Sequence, residues 1–399
     1  MIARSEGKKL IALAEKFPVV CVTGPRQSGK TTLVKSLFPN HEYVNLENPE
    51  EREFARTDPK GFLARVRGAV ILDEAQRVPD LFSWLQVDVD ASPEPGRFIL
   101  TGSQQFLMMR SVTQSLAGRV AVLSLFPFTF SELVGRPPFD LTHYDEVDDN
   151  SLVPGSRDLN EVLYQGMYPP IHDRGIDVVD WMANYLRTYV ERDVRELVNI
   201  GDLETFGRFV RLCAGRSGQL LDLSGLGAEA GVSHTTARRW ISVLVASGLV
   251  LLLAPHHANF NKRLTKTPKL YFIDTGLLCH LLRVRGKEDL AEHPFRGGVF
   301  ETFVVSELHK TFAHAGLEPP LFFWRDLGGH EVDILIDLGS KIVPVEVKSG
   351  ATLASDALRG LHWWTKLAGE RSGRGVLVYG GEESFQREGL LVRPWHRCS

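Results

Sequence analysis

Residues 24–31, Gly-Pro-Arg-Gln-Ser-Gly-Lys-Thr, set two glycines, a lysine and a hydroxyl in the spacing GxxxxGK[ST]. The glycines let backbone amides wrap around phosphates, and a helix N-terminus adds positive potential there. The chemistry implied is capture of ATP with Mg²⁺, with contacts from Gly24, Pro25, Arg26, Gln27, Ser28, Gly29, Lys30, Thr31 and Thr32. Lys30 would reach the β- and γ-phosphates, and the Thr31 hydroxyl would ligate Mg²⁺. A second group follows: Ala69-Val-Ile-Leu and then Asp73-Glu74. Four apolar residues suit a strand buried on both faces, with the acids at its C-terminal end, the ligand edge of an open α/β sheet. Asp73 would hold Mg²⁺ through water. Glu74 would orient or deprotonate the attacking water, or else is a solvated surface acid. Phe98–Ser103 is another strand reaching that edge. Its Thr101 and Ser103 either meet the γ-phosphate and water or cap the strand. Arg119, after Gly118, is either a finger into a neighbour's nucleotide or a surface arginine.

Residues 205–270 carry nine Lys/Arg against two acids, Asp222 and Glu229, whereas the whole chain has a net charge of -3. Leu223–Ala230 reads as a short helix, Gly231 as a turn and Ser233 as the N-cap of a second helix. Ala237, Trp240, Ile241, Leu244 and Val245 fall on one apolar face of that helix, with Trp240 in the core. His234, Thr235, Arg238, Arg239 and Ser242 face the other way. Leu249–Ala254 and Leu270–Ile273 would flank a wing bearing Lys262, Arg263 and Lys266. This winged-helix pattern fits double-stranded DNA, the helix in the major groove and the wing on phosphates, in a salt-dependent manner. It also fits a lid or interaction module.

The third group lies in the last hundred or so residues. Glu331–Asp337 and Lys341–Val347 read as strands joined by a two-residue turn at Gly339-Ser340. That turn sets Asp333 opposite Glu346 and Glu331 opposite Lys348. Strand alternation then puts Val332, Ile334, Ile336, Val343, Val345 and Val347 on the other face. Like charges directly opposite are destabilising, so a divalent cation at Asp333 and Glu346, or the Lys348 ammonium, would relieve them. Glu301, in the first turn of a helix starting near Gly298, is either a third ligand or a helix-dipole partner.

The elements that carry these groups follow from periodicity. Residues 4–16 and Thr31–Phe38 read as helices; Pro18–Thr23, Glu42–Leu46, Ala69–Leu72 and Phe98–Thr101 read as strands. Strands alternating with helices imply a parallel sheet covered on both faces. Asp140–Arg157 reads as an exposed acidic loop and Val178–Leu197 as a periodic helix. The expected architecture is α/β and multidomain. A P-loop parallel-sheet domain takes residues 1–200, with a helical lid or linker at about 150–200; a winged helix takes 201–290, and an α/β domain 291–399. The 399 residues, 43% hydrophobic and 24% charged, exclude wholesale disorder. Four scattered cysteines without a CxxC pair point away from disulfides and zinc fingers. With no signal-like apolar start and no membrane-length run, a cytoplasmic protein is expected.

Thr23–Thr32, Leu72–Glu74, Leu100–Ser103 and Ser115–Arg119 resemble the prokaryotic AAA+ ATPases of the AAA_14/DUF4143 type. So do Tyr185–Val194, Lys269–Gly276, Gly298–Glu301, Val332–Ile334 and Val345–Lys348. The resemblance spans nearly the whole chain. It implies the nucleotide, acid and sensor roles above, raises Arg119 as the finger, and implies self-association into a homo-oligomer. Glu301, Asp333 and Glu346-Val-Lys348 also resemble the PD-(D/E)xK nuclease core, although Val332 stands where a proline is often found. That second resemblance implies either a nuclease site or an inactive nuclease fold that only binds.

Overall fold

A computed structural model describes residues 2–66, 68–103, 108, 112, 114–146, 157–189, 203–256, 266–326 and 328–399. Five short strands open the chain: β1 (Val19–Thr23), β2 (Glu42–Asn45), β3 (Val70–Asp73), β4 (Phe98–Thr101) and β5 (Val120–Ser124). They form one sheet in the order β2-β3-β4-β1-β5. Every pairing is parallel. All residues of β1, β3 and β4 are buried, because helices cover both faces. Val19, Cys21, Leu72 and Leu100 pack on one side against the helices Pro49–Thr57, Pro59–Arg65 and Leu81–Ala91. Val20, Val22, Ile71 and Ile99 pack on the other against Leu10 of Gly7–Ala14 and Leu33 and Val34 of Lys30–Leu37. The strand order sets β4 between β1 and β3, so Thr101 and Ser103 stand between the phosphate loop and Asp73-Glu74.

The rest of the chain builds a second, nine-stranded sheet in the order β13-β14-β12-β11-β10-β9-β7-β8-β6. Its strands are β6 (Gln219–Leu220), β7 (Val250–Pro255), β8 (Lys269–Phe272), β9 (Leu321–Arg325) and β10 (Glu331–Asp337). They continue with β11 (Ile342–Lys348), β12 (Val376–Tyr379), β13 (Phe385–Arg387) and β14 (Leu390–Pro394). The segments 201–290 and 291–399 share this sheet through the parallel pairing of β7 with β9. They also share one apolar core that runs from Phe126 to Cys398. Helices Leu203–Ala214, Leu223–Ala230 and His234–Ala246 pack on the β6-β8-β7 end, and the 19-residue helix Arg296–His314 crosses the middle.

Several expectations need adjusting. Val178–Tyr189 is helical, and positions 190–197 lie outside the described residues. Within Asp140–Arg157 the described part is no free loop. Tyr144 and Asp145 are buried, held by Arg393 Nη1 on the Tyr144 carbonyl (2.7 Å) and Lys341 Nζ on Asp145 (2.7 Å). Val245 is exposed; Leu244 and the half-buried Val243 fill the core there. On β10, Val332 packs with Leu335, Ile342, Trp324 and Trp364, away from Ile334 and Ile336. The cause is a register shift against β9 between Val332 and Leu335, a bulge that a strict period of two cannot anticipate. Both faces of the hairpin are therefore apolar at mid-strand, with helix Arg359–Ala368 covering the second one.

Candidate functional site

The phosphate loop is shaped by two glycines with positive φ. Gly24 has φ 137°, and a Cβ there would lie 2.0 Å from the Leu125 carbonyl oxygen. Gly29 has φ 94° and opens helix Lys30–Leu37. Only glycine adopts either conformation at little cost. Lys30 is buried and donates to the Gly24 (3.0 Å) and Pro25 (2.7 Å) carbonyls. Outside the loop, the buried Arg4 donates to the Ser28 carbonyl (3.1 Å), and Glu6 and Glu132 pair with its guanidinium. Burial pushes the Glu6 carboxyl up, but His314 and Arg4 outweigh this and hold it at about 2. The motif gave no sign of Arg4, which comes from before the first strand.

Asp73 ends β3 beside the loop. Thr31 Oγ1 donates to its Oδ2 (2.9 Å), Tyr43 OH donates to the same oxygen (2.7 Å), and Thr101 Oγ1 donates to Oδ1. Its hydrogen-bond partners are thus hydroxyls. Burial, followed by the Asp73 hydrogen bond, pushes the Tyr43 hydroxyl above its ordinary range, so Tyr43 stays a donor. Glu74 adopts a left-handed backbone (φ 54°, ψ 43°). Non-glycine residues rarely do so, and such strain concentrates at functional sites. Its Oε2 accepts from Ser103 Oγ (3.0 Å) and Gln76 Nε2 (2.5 Å). Gln76 is a partner that sequence reasoning missed; it lies two residues past the acid with no motif to mark it.

Two cavities meet at this loop. One, of 270 Å³, is lined by Arg26, Gln27, Gly29, Lys30, Thr31, Thr32, Glu47, Glu74 and Ser103. The other, of 310 Å³, is more apolar and lies across Gln27–Gly29, between Ala3, Leu33, Leu37 and Pro169, Pro170 and Arg174. A polar compartment against an apolar one suits a ligand with a phosphate tail and a flat base. The hard oxygen donors Thr31 and Asp73 suit Mg²⁺.

Arg119 lies elsewhere. Val120 pairs with Val19 at the N-terminal end of β1, the sheet edge opposite the phosphate loop. Its guanidinium makes a two-pronged pair with Asp90 (2.5 and 2.9 Å). Within one chain it does not reach the site.

On helix His234–Ala246, Ser233 caps the N-terminus by accepting from Thr236 N (3.1 Å). Ala237, Trp240, Ile241 and Leu244 are buried, and His234, Thr235, Arg238, Arg239 and Ser242 are exposed on the outer face. Lys266 is exposed, whereas Lys262 and Arg263 lie outside the described residues. The basic excess is smaller at the surface than in the count: Arg216 pairs with Glu229, and Lys269 is buried. The turn after this helix touches the phosphate loop. Gly248 has φ 67°, and a Cβ there would sit 3.1 Å from Pro25 Cδ.

The hairpin register places Ile334 opposite Val345 and Asp337 opposite Ile342, which sets Asp333 across from Glu346. Asp333 Oδ2 accepts from Val347 N (2.9 Å), and Lys348 Nζ donates to Glu346 Oε1 (2.7 Å). Glu301 is in the second turn of its helix, which starts at Arg296, not in the first. It accepts from Tyr271 OH (2.5 Å) and Lys269 Nζ (3.1 Å), both from β8. Burial, followed by Asp333, pushes the Glu346 carboxyl up to about 8 and raises Glu301 as well. The carboxylates are close enough to disfavour one another's charge. Lys269 and Tyr271 were not anticipated, because they belong to the segment read as the winged helix.

Three family models match the chain in succession. An AAA domain (AAA_14) matches residues 16–134, a domain of unknown function (DUF8612) residues 156–288, and another (DUF4143) residues 296–397. The uncharacterized protein Rv2008c of Mycobacterium tuberculosis is 31% identical over 393 residues, 98% of this chain and 82% of the relative. The uncharacterized protein Mb2031c of Mycobacterium bovis matches to the same extent. Among solved structures, the Walker-type ATPase PABY2304 of Pyrococcus abyssi is 15% identical, with a TM-score of 0.44 over 70% of this chain and 96% of that one. No helix among the described residues is long and apolar enough to cross a membrane. With the phosphate loop at the head of its first helix and the paired acids one strand removed, the chain belongs to the family of these mycobacterial proteins and is a P-loop ATPase of the AAA type, with DUF8612 and DUF4143 segments behind its AAA domain.

Proposed function

We propose that this protein binds and hydrolyses ATP at Gly24–Thr32 and couples that cycle to double-stranded DNA through helix His234–Ala246. The observation that carries the first half is the 2.9 Å bond between Thr31 and Asp73, which joins the two motifs at one sheet edge. Lys30 leaves the Gly24 and Pro25 carbonyls for the β- and γ-phosphates. Thr31, and Asp73 through water, would hold Mg²⁺, which when bound would supply positive charge against that of the phosphates. Glu74, whose carboxylate is held by Ser103 and Gln76, orients the attacking water. Thr101 fixes Asp73. The test is nucleotide binding and hydrolysis in Glu74→Gln. Binding at wild-type affinity with turnover lost supports the assignment, and wild-type turnover removes Glu74 from it.

The DNA half rests on the winged-helix reading of the helix pair Leu223–Ala230 and His234–Ala246 with the antiparallel β7 and β8, and on Arg238 and Arg239 exposed on the outer face. Pro25 against Gly248 gives the phosphate loop a direct contact with the end of that helix. Duplex binding should weaken steeply with salt and be lost in Arg238→Ala plus Arg239→Ala. Unchanged binding in that variant would favour an ATP-dependent protein-interaction module instead. Arg119 enters the mechanism only in a homo-oligomer, completing a neighbouring copy's site.

A further inference from the structure

The acids of the C-terminal hairpin are already supplied with a cation. Lys269 projects from β8, and its ammonium lies 2.7 Å from Glu331 and 3.1 Å from Glu301. Between β8 and β10 the sheet runs through β7 and β9. The Lys269 and Glu331 side chains together therefore span these two strands, with Lys269 Nζ 5.5 Å over the Phe323 ring. Only 5% of the Lys269 side chain is exposed. A buried ammonium is costly unless several anions engage it, and here Glu301, Asp333 and Glu331 do so. A second ammonium, Lys348, takes Glu346. The only group of His, Cys, Asp or Glu side chains converging at metal-ligand distance among the described residues is Glu6, Glu132 and His314, which Arg4 fills. Glu301, Asp333 and Glu346 do not converge in this way.

We propose that Lys269, paired with Glu301 and Glu331 and facing Asp333, is the resident cation beside the Asp333–Glu346 pair where the nuclease-like pattern sets a divalent ion, so that the folded C-terminal unit holds no divalent metal there. Phosphodiester cleavage that depends on such a metal is then absent. This inference uses the nuclease-like reading only to name the ion displaced, and it is independent of the nucleotide site. A charge argument supports it. Mg²⁺ or Mn²⁺ entering beside Lys269 would meet an ammonium within a few ångströms, and expelling that ammonium would cost its ion pairs with two carboxylates.

The test is a Mn²⁺ titration of the full chain without nucleotide, by isothermal calorimetry and by the Mn²⁺ spin-resonance signal. Wild type and Asp333→Asn should bind Mn²⁺ alike. Lys269→Met should gain one Mn²⁺ per chain, at least about tenfold tighter than any wild-type site outside the phosphate loop, and the added Asp333→Asn should remove it. Lys269→Gln replaces Lys269→Met should the latter fail to fold by circular dichroism. A Mn²⁺ site in wild type that Asp333→Asn abolishes overturns the proposal, whatever the fate of the Lys269 variants. So does a folded Lys269 variant that gains no site.

Discussion

Two carboxylate sites sit on the two sheets of this molecule, and they have opposite electrostatic character. At the end of β3, Asp73 meets hydroxyls from Thr31, Tyr43 and Thr101, while the neighbouring Lys30 rests on backbone carbonyls. Three hydroxyls on its two oxygens make a hard-oxygen setting that suits an incoming cation. In the hairpin, Glu301, Glu331 and Glu346 each meet a lysine ammonium, from Lys269 or Lys348. Two ammoniums there offset part of the charge of four acids, and Asp333 accepts from a backbone N–H. A pattern of acids in sequence is therefore not enough to imply a metal. What decides is whether the fold lends the acids hydroxyls or ammoniums.

The largest effect that sharpens this contrast is on the two buried lysines. Lys269→Met should destabilise the fold by roughly 2–4 kcal/mol, because it leaves two partly buried acids uncompensated. Lys30→Ala should cost the fold only about 1 kcal/mol, the worth of bonds to loop carbonyls. Its loss should instead appear in nucleotide affinity, roughly a hundredfold. Chemical denaturation beside nucleotide titration checks both, and equal stability losses would erase the distinction.

The next effect is pH dependent. Burial and Asp333 raise Glu346 from 4.5 to about 8. Between those values the folded chain keeps a proton that the unfolded chain has lost, so stability falls as pH rises across the window and levels off above it. Glu346→Gln has no such proton. Its stability relative to wild type should rise from pH 5 to pH 8, by an amount on the order of a few kcal/mol. Parallel pH profiles for the two proteins would contradict a raised Glu346. Arg119→Ala should show the smallest effect. Its exposed pair with Asp90 should leave the melting temperature unchanged, and turnover should fall only where sedimentation shows an oligomer.

The phosphate site was legible because its residues are contiguous and each motif sits at a strand end. The spacing alone set Lys30, Thr31, Asp73 and Glu74 at strand and helix ends that the fold brings together. The strand order adds bonds that spacing does not give, Thr101 to Asp73 and Ser103 to Glu74. The hairpin register was legible for a similar reason, since Gly339-Ser340 sets it locally. Val332 was misplaced because a bulge depends on the partner strand β9. Lys269 escaped notice because it arrives from across two strands, and in sequence it counts as one more basic residue of a winged helix. Arg4, Gln76 and the Pro25–Gly248 contact share that character: each side chain is ordinary, and only the fold brings it to the site.

The most direct test of the account is paired measurement of ATP affinity and Mg²⁺-dependent turnover in wild type and Glu74→Gln. The account predicts equal affinity and a loss of turnover of roughly a hundredfold or more in the variant, with wild-type hydrolysis abolished by chelating Mg²⁺. Wild-type turnover in Glu74→Gln, or hydrolysis indifferent to Mg²⁺, would contradict it.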